Sequence, residues 1–151
     1  MVNGTHNLWM HVIFEGLDYK PRAESLQDIL HHTKPEGKRV LSVASWGYPL
    51  AFLSEGAKEV VGFEVHPGYV AWNHFLKASI LSLDYEESLE LFSKGVKGEK
   101  LAGMQRRISE YIPPHKLDDT LEQMDEFCWQ KRTGRLEGVE SNYIHLRDKA
   151  T

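Results

Sequence analysis

The chain has 151 residues, 41% hydrophobic and 26% charged, with a formal net charge of −4. Such a chain can bury a core of ordinary size and is not a disordered polymer. The acidic balance, with no dominant lysine or arginine cluster, excludes a primary role on nucleic acid, and no apolar run approaches the ~20 residues that cross a bilayer.

The first residues, Met1-Val-Asn-Gly-Thr-His6, lack the basic and apolar regions of a signal peptide. The single Cys128 rules out an internal disulfide and suits a reducing compartment, so the expected location is cytoplasmic. Asn3-Gly4-Thr5 matches a glycosylation acceptor, which without a secretion signal reads as coincidence.

In chain order, residues 8–20 read as a short helix or covering segment, and 21–33 as a helix with Leu26, Ile29 and Leu30 on one face. Pro35-Glu-Gly37 ends it. Val40-Leu-Ser-Val-Ala44 is short and β-branched, the pattern of a parallel strand covered on both faces. A tight turn at Gly47 follows, then a short helix with Pro49 at its first position and Gly56 closing it. The second strand, Val60-Val-Gly-Phe63, runs into Glu64. Residues 68–83 form a strongly apolar helix whose Val70, Phe75, Leu76, Ile80 and Leu83 belong to the core. Asp84-Tyr-Glu-Glu87 has the spacing of a capping box and opens a helix through Phe92 that Gly95 and Gly98 end. Glu99 to Ile112 is amphipathic and stops at Pro113-Pro114. Leu117 to Lys131 places Leu117, Leu121, Met124 and Cys128 at helical spacing, with Phe127 alongside.

The fold class expected is α/β: an incomplete Rossmann-like βαβ unit, of the class I methyltransferase type, with a mainly helical C-terminal half. We read residues 1–151 as one domain, made of an N-terminal cover (1–37), a nucleoside-binding βαβ half (38–93) and a helical region (94–151). Only two strands are defensible, whereas a doubly wound sheet needs about five or more. Either Leu8–Phe14 and Tyr143–Leu146 add strands, or a second subunit, a partner chain or a longer parent chain completes the sheet.

The candidate site lies in the first turn and at the second strand's end. Glu64 follows Gly47 by 17 residues, near the spacing of about 20 at which a carboxylate accepts hydrogen bonds from ribose hydroxyls. The loop Ala44-Ser-Trp-Gly-Tyr48 has one glycine where a dinucleotide loop has three, and Pro49 removes an amide donor. A nucleoside ligand without phosphates, such as S-adenosylmethionine, fits this better than NAD or ATP. An α/β crossover with an incidental Gly and Glu has the same spacing.

The segment Val40–Phe92 resembles the diacylglycerol 3-amino-3-carboxypropyltransferases, which start betaine-lipid headgroup synthesis from S-adenosylmethionine. The matching pieces are Val40-Leu-Ser-Val-Ala-Ser-Trp-Gly47, Val61-Gly-Phe-Glu-Val-His-Pro67 and the corner Leu76-Lys-Ala-Ser-Ile-Leu-Ser-Leu-Asp-Tyr-Glu-Glu-Ser-Leu-Glu-Leu-Phe92. Gly47-Tyr-Pro-Leu50 also looks like the loop of nicotianamine synthases. The family usually has Asp and Asn where this chain has Glu64 and His66. The resemblance implies S-adenosylmethionine as substrate. It implies Ser45 and Gly47 along the nucleoside or methionine part, Glu64 on the ribose, His66 beside the adenine, and Trp46 or Tyr48 stacking or selecting the rotamer. Asp84 and Tyr85 become candidates for the acceptor side, although an N-cap and a packing tyrosine explain them equally well.

Metal is not expected: His31 and His32 point apart on a helix, and no Cys pair or His-Glu-x-x-His spacing occurs. Cys128 reads as core, and Trp129 and Arg132 as surface or interface residues. The functional expectation is aminocarboxypropyl transfer to an unknown acceptor, or intramolecular cleavage or cyclisation of S-adenosylmethionine. The alternatives are an S-adenosylmethionine-dependent methyltransferase and a non-catalytic half-Rossmann subunit that binds a partner or a second copy.

Overall fold

A computed structural model of the protein describes residues 29–44 and 48–136. Ser45, Trp46, Gly47 and the stretches 8–20 and 143–146 lie outside them. Of the helix predicted over 21–33, residues 29–33 are described and helical.

Two strands, β1 (Arg39–Val43) and β2 (Glu59–Phe63), flank helix α1 (Tyr48–Ser54). They pair in parallel, with Val40 opposite Val60 and Val43 opposite Phe63. Ala44 N–H extends the pairing by donating to the Phe63 carbonyl at 2.9 Å. Gly56, at φ +83°, closes α1 as its position predicts. The chain is therefore a mixed α/β protein, with a two-stranded parallel sheet among the described residues.

Among the described residues the sheet is covered on one face, not on both as expected. Because strand side chains alternate, Val40 and Val60 share one face, where they pack with Leu30, Ala51 and Phe52. Leu41, Val43, Val61 and Phe63 point the other way and are 71%, 46%, 50% and 52% exposed. α1 covers one face, and no described element covers the other.

Four further helices hold the main core: α2 (Pro67–Ser82), α3 (Tyr85–Lys94), α4 (Gly98–Ser109) and α5 (Leu117–Arg132), the last preceded by a 3₁₀ turn at Pro114–Lys116. α2 is apolar around most of its circumference and accordingly sits centrally, burying Trp72, Phe75, Leu76, Ala78 and Ser79. Its aromatic rings meet those of α3 and α5. Phe75 stacks on Phe92 at 5.4 Å, and Trp72 lies 5.3 Å from Phe127. Val70 and Ile80, predicted as core, are half-buried. Buried hydroxyls are satisfied locally: Ser79 donates to Phe75 carbonyl at 2.8 Å and Thr120 to Lys116 carbonyl at 2.7 Å.

The helix ends follow from local chemistry. Asp84 caps α3 with both bonds of the capping box: Glu87 N–H donates to Asp84 Oδ1 at 2.8 Å, and Asp84 N–H to Glu87 Oε2 at 3.1 Å. Gly95 ends α3 at φ +69°. Gly98, predicted as a terminator, is instead the first residue of α4. No described helix is long and apolar enough to cross a membrane.

Candidate functional site

The carboxyl ends of β1 and β2 lie side by side, the edge at which open α/β sheets bind ligands. Glu64 leaves β2 there and folds back on its own chain. Its Oε1 accepts the N–H groups of Val65 at 2.8 Å and His66 at 3.0 Å. This holds the carboxylate in one orientation while Oε2 keeps its lone pairs, free of hydrogen bonds from the described residues. His66 is the N-cap of α2, its Nδ1 accepting Gly68 N–H at 3.1 Å, so the neutral ring carries its proton on Nε2. The same ring meets Tyr69 edge to face at 5.9 Å.

Asn73 joins this edge to the helical core, and sequence reasoning missed it. Its Nδ2 donates to the carbonyl of Ala44, where β1 ends, and to that of Tyr69 at 2.9 Å. Its Oδ1 is buried with no partner among the described residues. One amide thus ties the end of β1 to α2. The available signal was a lone asparagine inside the apolar run 69–83.

Three of the predicted ligand residues, Ser45, Trp46 and Gly47, lie outside the described residues. Tyr48 opens α1 and is half-buried against Leu30, Ala51 and Phe52, so its ring is engaged in packing. Glu64 and His66 are joined by the bond from His66 N–H to Glu64 Oε1. Asp84 and Tyr85 are not brought to them. They follow the far end of α2, a helix of 16 residues, which at 1.5 Å per residue is about 24 Å long. Asp84 serves as an N-cap there, and Tyr85 is 45% exposed. That separation removes both from a shared acceptor site.

Among the described residues no three His, Cys, Asp or Glu side chains converge to hold a metal ion. Cys128 is fully buried on α5, and burial pushes its thiol up to about 11. Trp129 and Arg132 line a cleft that begins at His66. Comparison of the chain with protein-family models, curated proteins and solved structures finds no match.

Proposed function

We propose that the chain binds S-adenosylmethionine at the carboxyl edge of its parallel strand pair and transfers the 3-amino-3-carboxypropyl group, releasing methylthioadenosine. In this reading β1-α1-β2 is the first half of a Rossmann-like unit. The observation that carries it is the Glu64 carboxylate, fixed by two backbone amides with Oε2 left to accept from ribose hydroxyls. The resemblance of 40–92 to the diacylglycerol 3-amino-3-carboxypropyltransferases supplies the reaction class.

In the transfer, the acceptor's lone pair forms a bond to the γ-carbon of the methionine part. The γ-carbon–sulfur bond breaks, and its electron pair returns to sulfur as a neutral thioether. The acceptor's proton leaves to solvent. A sulfonium is already an excellent leaving group, so the protein's work is positioning and excluding water. Glu64 grips the ribose, His66 flanks the base, and Asn73 fixes the end of β1.

The exposed face formed by Leu41, Val43, Val61 and Phe63 favours a second reading, a half-Rossmann subunit completed by a partner chain or a second copy. The two are separated by calorimetric titration with S-adenosylmethionine. The transfer reading expects binding that Glu64→Ala weakens by about 1–3 kcal/mol. Absence of binding, with association into oligomers, supports the subunit reading. If S-adenosylhomocysteine is the product formed, the enzyme is a methyltransferase.

A further inference from the structure

Three positions of each strand point to the face of the sheet that no described element covers. They are Arg39, Leu41 and Val43 of β1 and Glu59, Val61 and Phe63 of β2. In the parallel register Arg39 stands opposite Glu59, Leu41 opposite Val61 and Val43 opposite Phe63. Arg39 Nε donates to Glu59 Oε2 at 2.5 Å, and the two side chains remain 75% and 49% exposed. The face thus has a charged end, with one cation and one anion, and an apolar end of four exposed side chains.

Parallel strands are normally buried on both faces, and monomers rarely leave contiguous apolar surface of this kind open. Exposure alone does not say what covers it; the placement of the charges decides. Take a two-fold axis parallel to the strands, midway between two such faces about 10 Å apart. It lays β1 of one copy over β2 of the other, with both strand starts at the same end. Arg39 then faces Glu59 of the second copy, Leu41 faces Val61, and Val43 faces Phe63. Each contact is repeated by the axis, as an isologous interface requires. Two cations and two anions meet at one end, and the apolar side chains of both copies meet at the other. An axis across the strands would instead set Arg39 over Val43 and Glu59 over Phe63, desolvating charge against hydrocarbon.

We propose that the chain forms a symmetric dimer, sheet against sheet, with Arg39 and Glu59 of both copies paired at one end and Leu41, Val43, Val61 and Phe63 packed at the other. A second copy is then the occupant that the subunit reading leaves open, and the dimer requires no binding of S-adenosylmethionine. Six side chains from each copy bury on the order of 1,000 Å² in total, below the roughly 1,200–2,000 Å² of stable specific interfaces, so the association is weak and reversible.

Sedimentation of the full chain at low ionic strength, from about 1 to 200 µM, tests this. Wild type is expected to pass from the mass of one chain to that of two across that range. Val61→Glu sets a carboxylate against Leu41 of the second copy and is expected to weaken the dimer about tenfold or more. Arg39→Glu makes the charged end wholly acidic and Glu59→Arg makes it wholly basic, so each of these variants dimerises poorly by itself. Mixed in equal amounts, they are expected to associate about tenfold more tightly than either does alone. Thermal melts identify the folded variants, and the mixing experiment stands on exposed positions if Val61→Glu does not fold. A wild type that stays a single chain at every concentration overturns the proposal; a face covered from within the chain, or reserved for a different protein, gives that result. A dimer unaffected by Val61→Glu, or a mixture no tighter than its components, overturns it too. Because the readout is mass, failure to bind S-adenosylmethionine changes none of these outcomes.

Discussion

His66 and Asp84 mark opposite ends of one helix: His66 caps α2, and Asp84 follows it about 24 Å away as the cap of α3. Two residues that the sequence suggests for one site are therefore held apart by a rod whose buried face forms the centre of the core. Asp84→Ala should cost about 1 kcal/mol of stability through loss of the cap. It should leave the affinity for S-adenosylmethionine unchanged. A chemical melt and a calorimetric titration of the same variant check both halves, and an affinity loss matching that of Glu64→Ala would return Asp84 to the site.

Gly95 has two reasons to be glycine. Its φ is +69°, and a Cβ there would stand 2.6 Å from the Cys128 carbonyl oxygen on α5. Left-handed backbone costs a non-glycine residue about 1–2 kcal/mol, and the contact adds strain of about 1–3 kcal/mol. Gly95→Ala should thus lower unfolding free energy by about 2–5 kcal/mol. A denaturant midpoint indistinguishable from wild type would contradict this packing of α3 against α5.

Arg107 of α4 holds Glu87 of α3 with two bonds, Nη1 to Oε2 at 3.0 Å and Nη2 to Oε1 at 2.5 Å. That hydrogen-bonded guanidinium is the main reason the Glu87 carboxyl lies below its ordinary value of 4.5. A carboxyl with a depressed folded pKa contributes stability above its unfolded value and loses it as pH falls through the folded one. The pair is half-exposed, so the contribution is about 0.2–1 kcal/mol. Arg107→Ala should flatten stability against pH below about 4.5 while altering it little between pH 6 and 8, as melts across that range will show.

Much of this architecture is legible in the sequence because it is written locally. The Asp84–Glu87 spacing dictates a capping box, and the run Val40–Ala44 followed by Val60–Phe63 dictates a parallel pair around a short helix. What escapes is set by partners far along the chain. Nothing near Leu41 or Val61 says that the described elements cover only the opposite face. Tyr48 looks like a stacking residue until Leu30 and Phe52 are seen against it. Asn73 becomes part of the site only because α2 passes under Ala44, 29 positions earlier. The cleft lined by His66, Trp129 and Arg132 is invisible for the same reason, since it forms only where α5 packs across α2.

Cys128 is inert on this account, its thiol pushed up to about 11 by burial on the core face of α5. Folded protein at pH 8 should resist iodoacetamide, and unfolded protein should be alkylated at that single thiol. Rapid alkylation without unfolding would show that α5 does not bury this face.

The central claim is S-adenosylmethionine chemistry at the carboxyl edge beside Glu64. Incubation of the purified chain with S-adenosylmethionine, with nucleoside products followed by mass spectrometry against Glu64→Ala, tests it most directly. The account predicts methylthioadenosine from the intact protein and a large reduction in the variant. Equal methylthioadenosine from both proteins, or none from either, would contradict it.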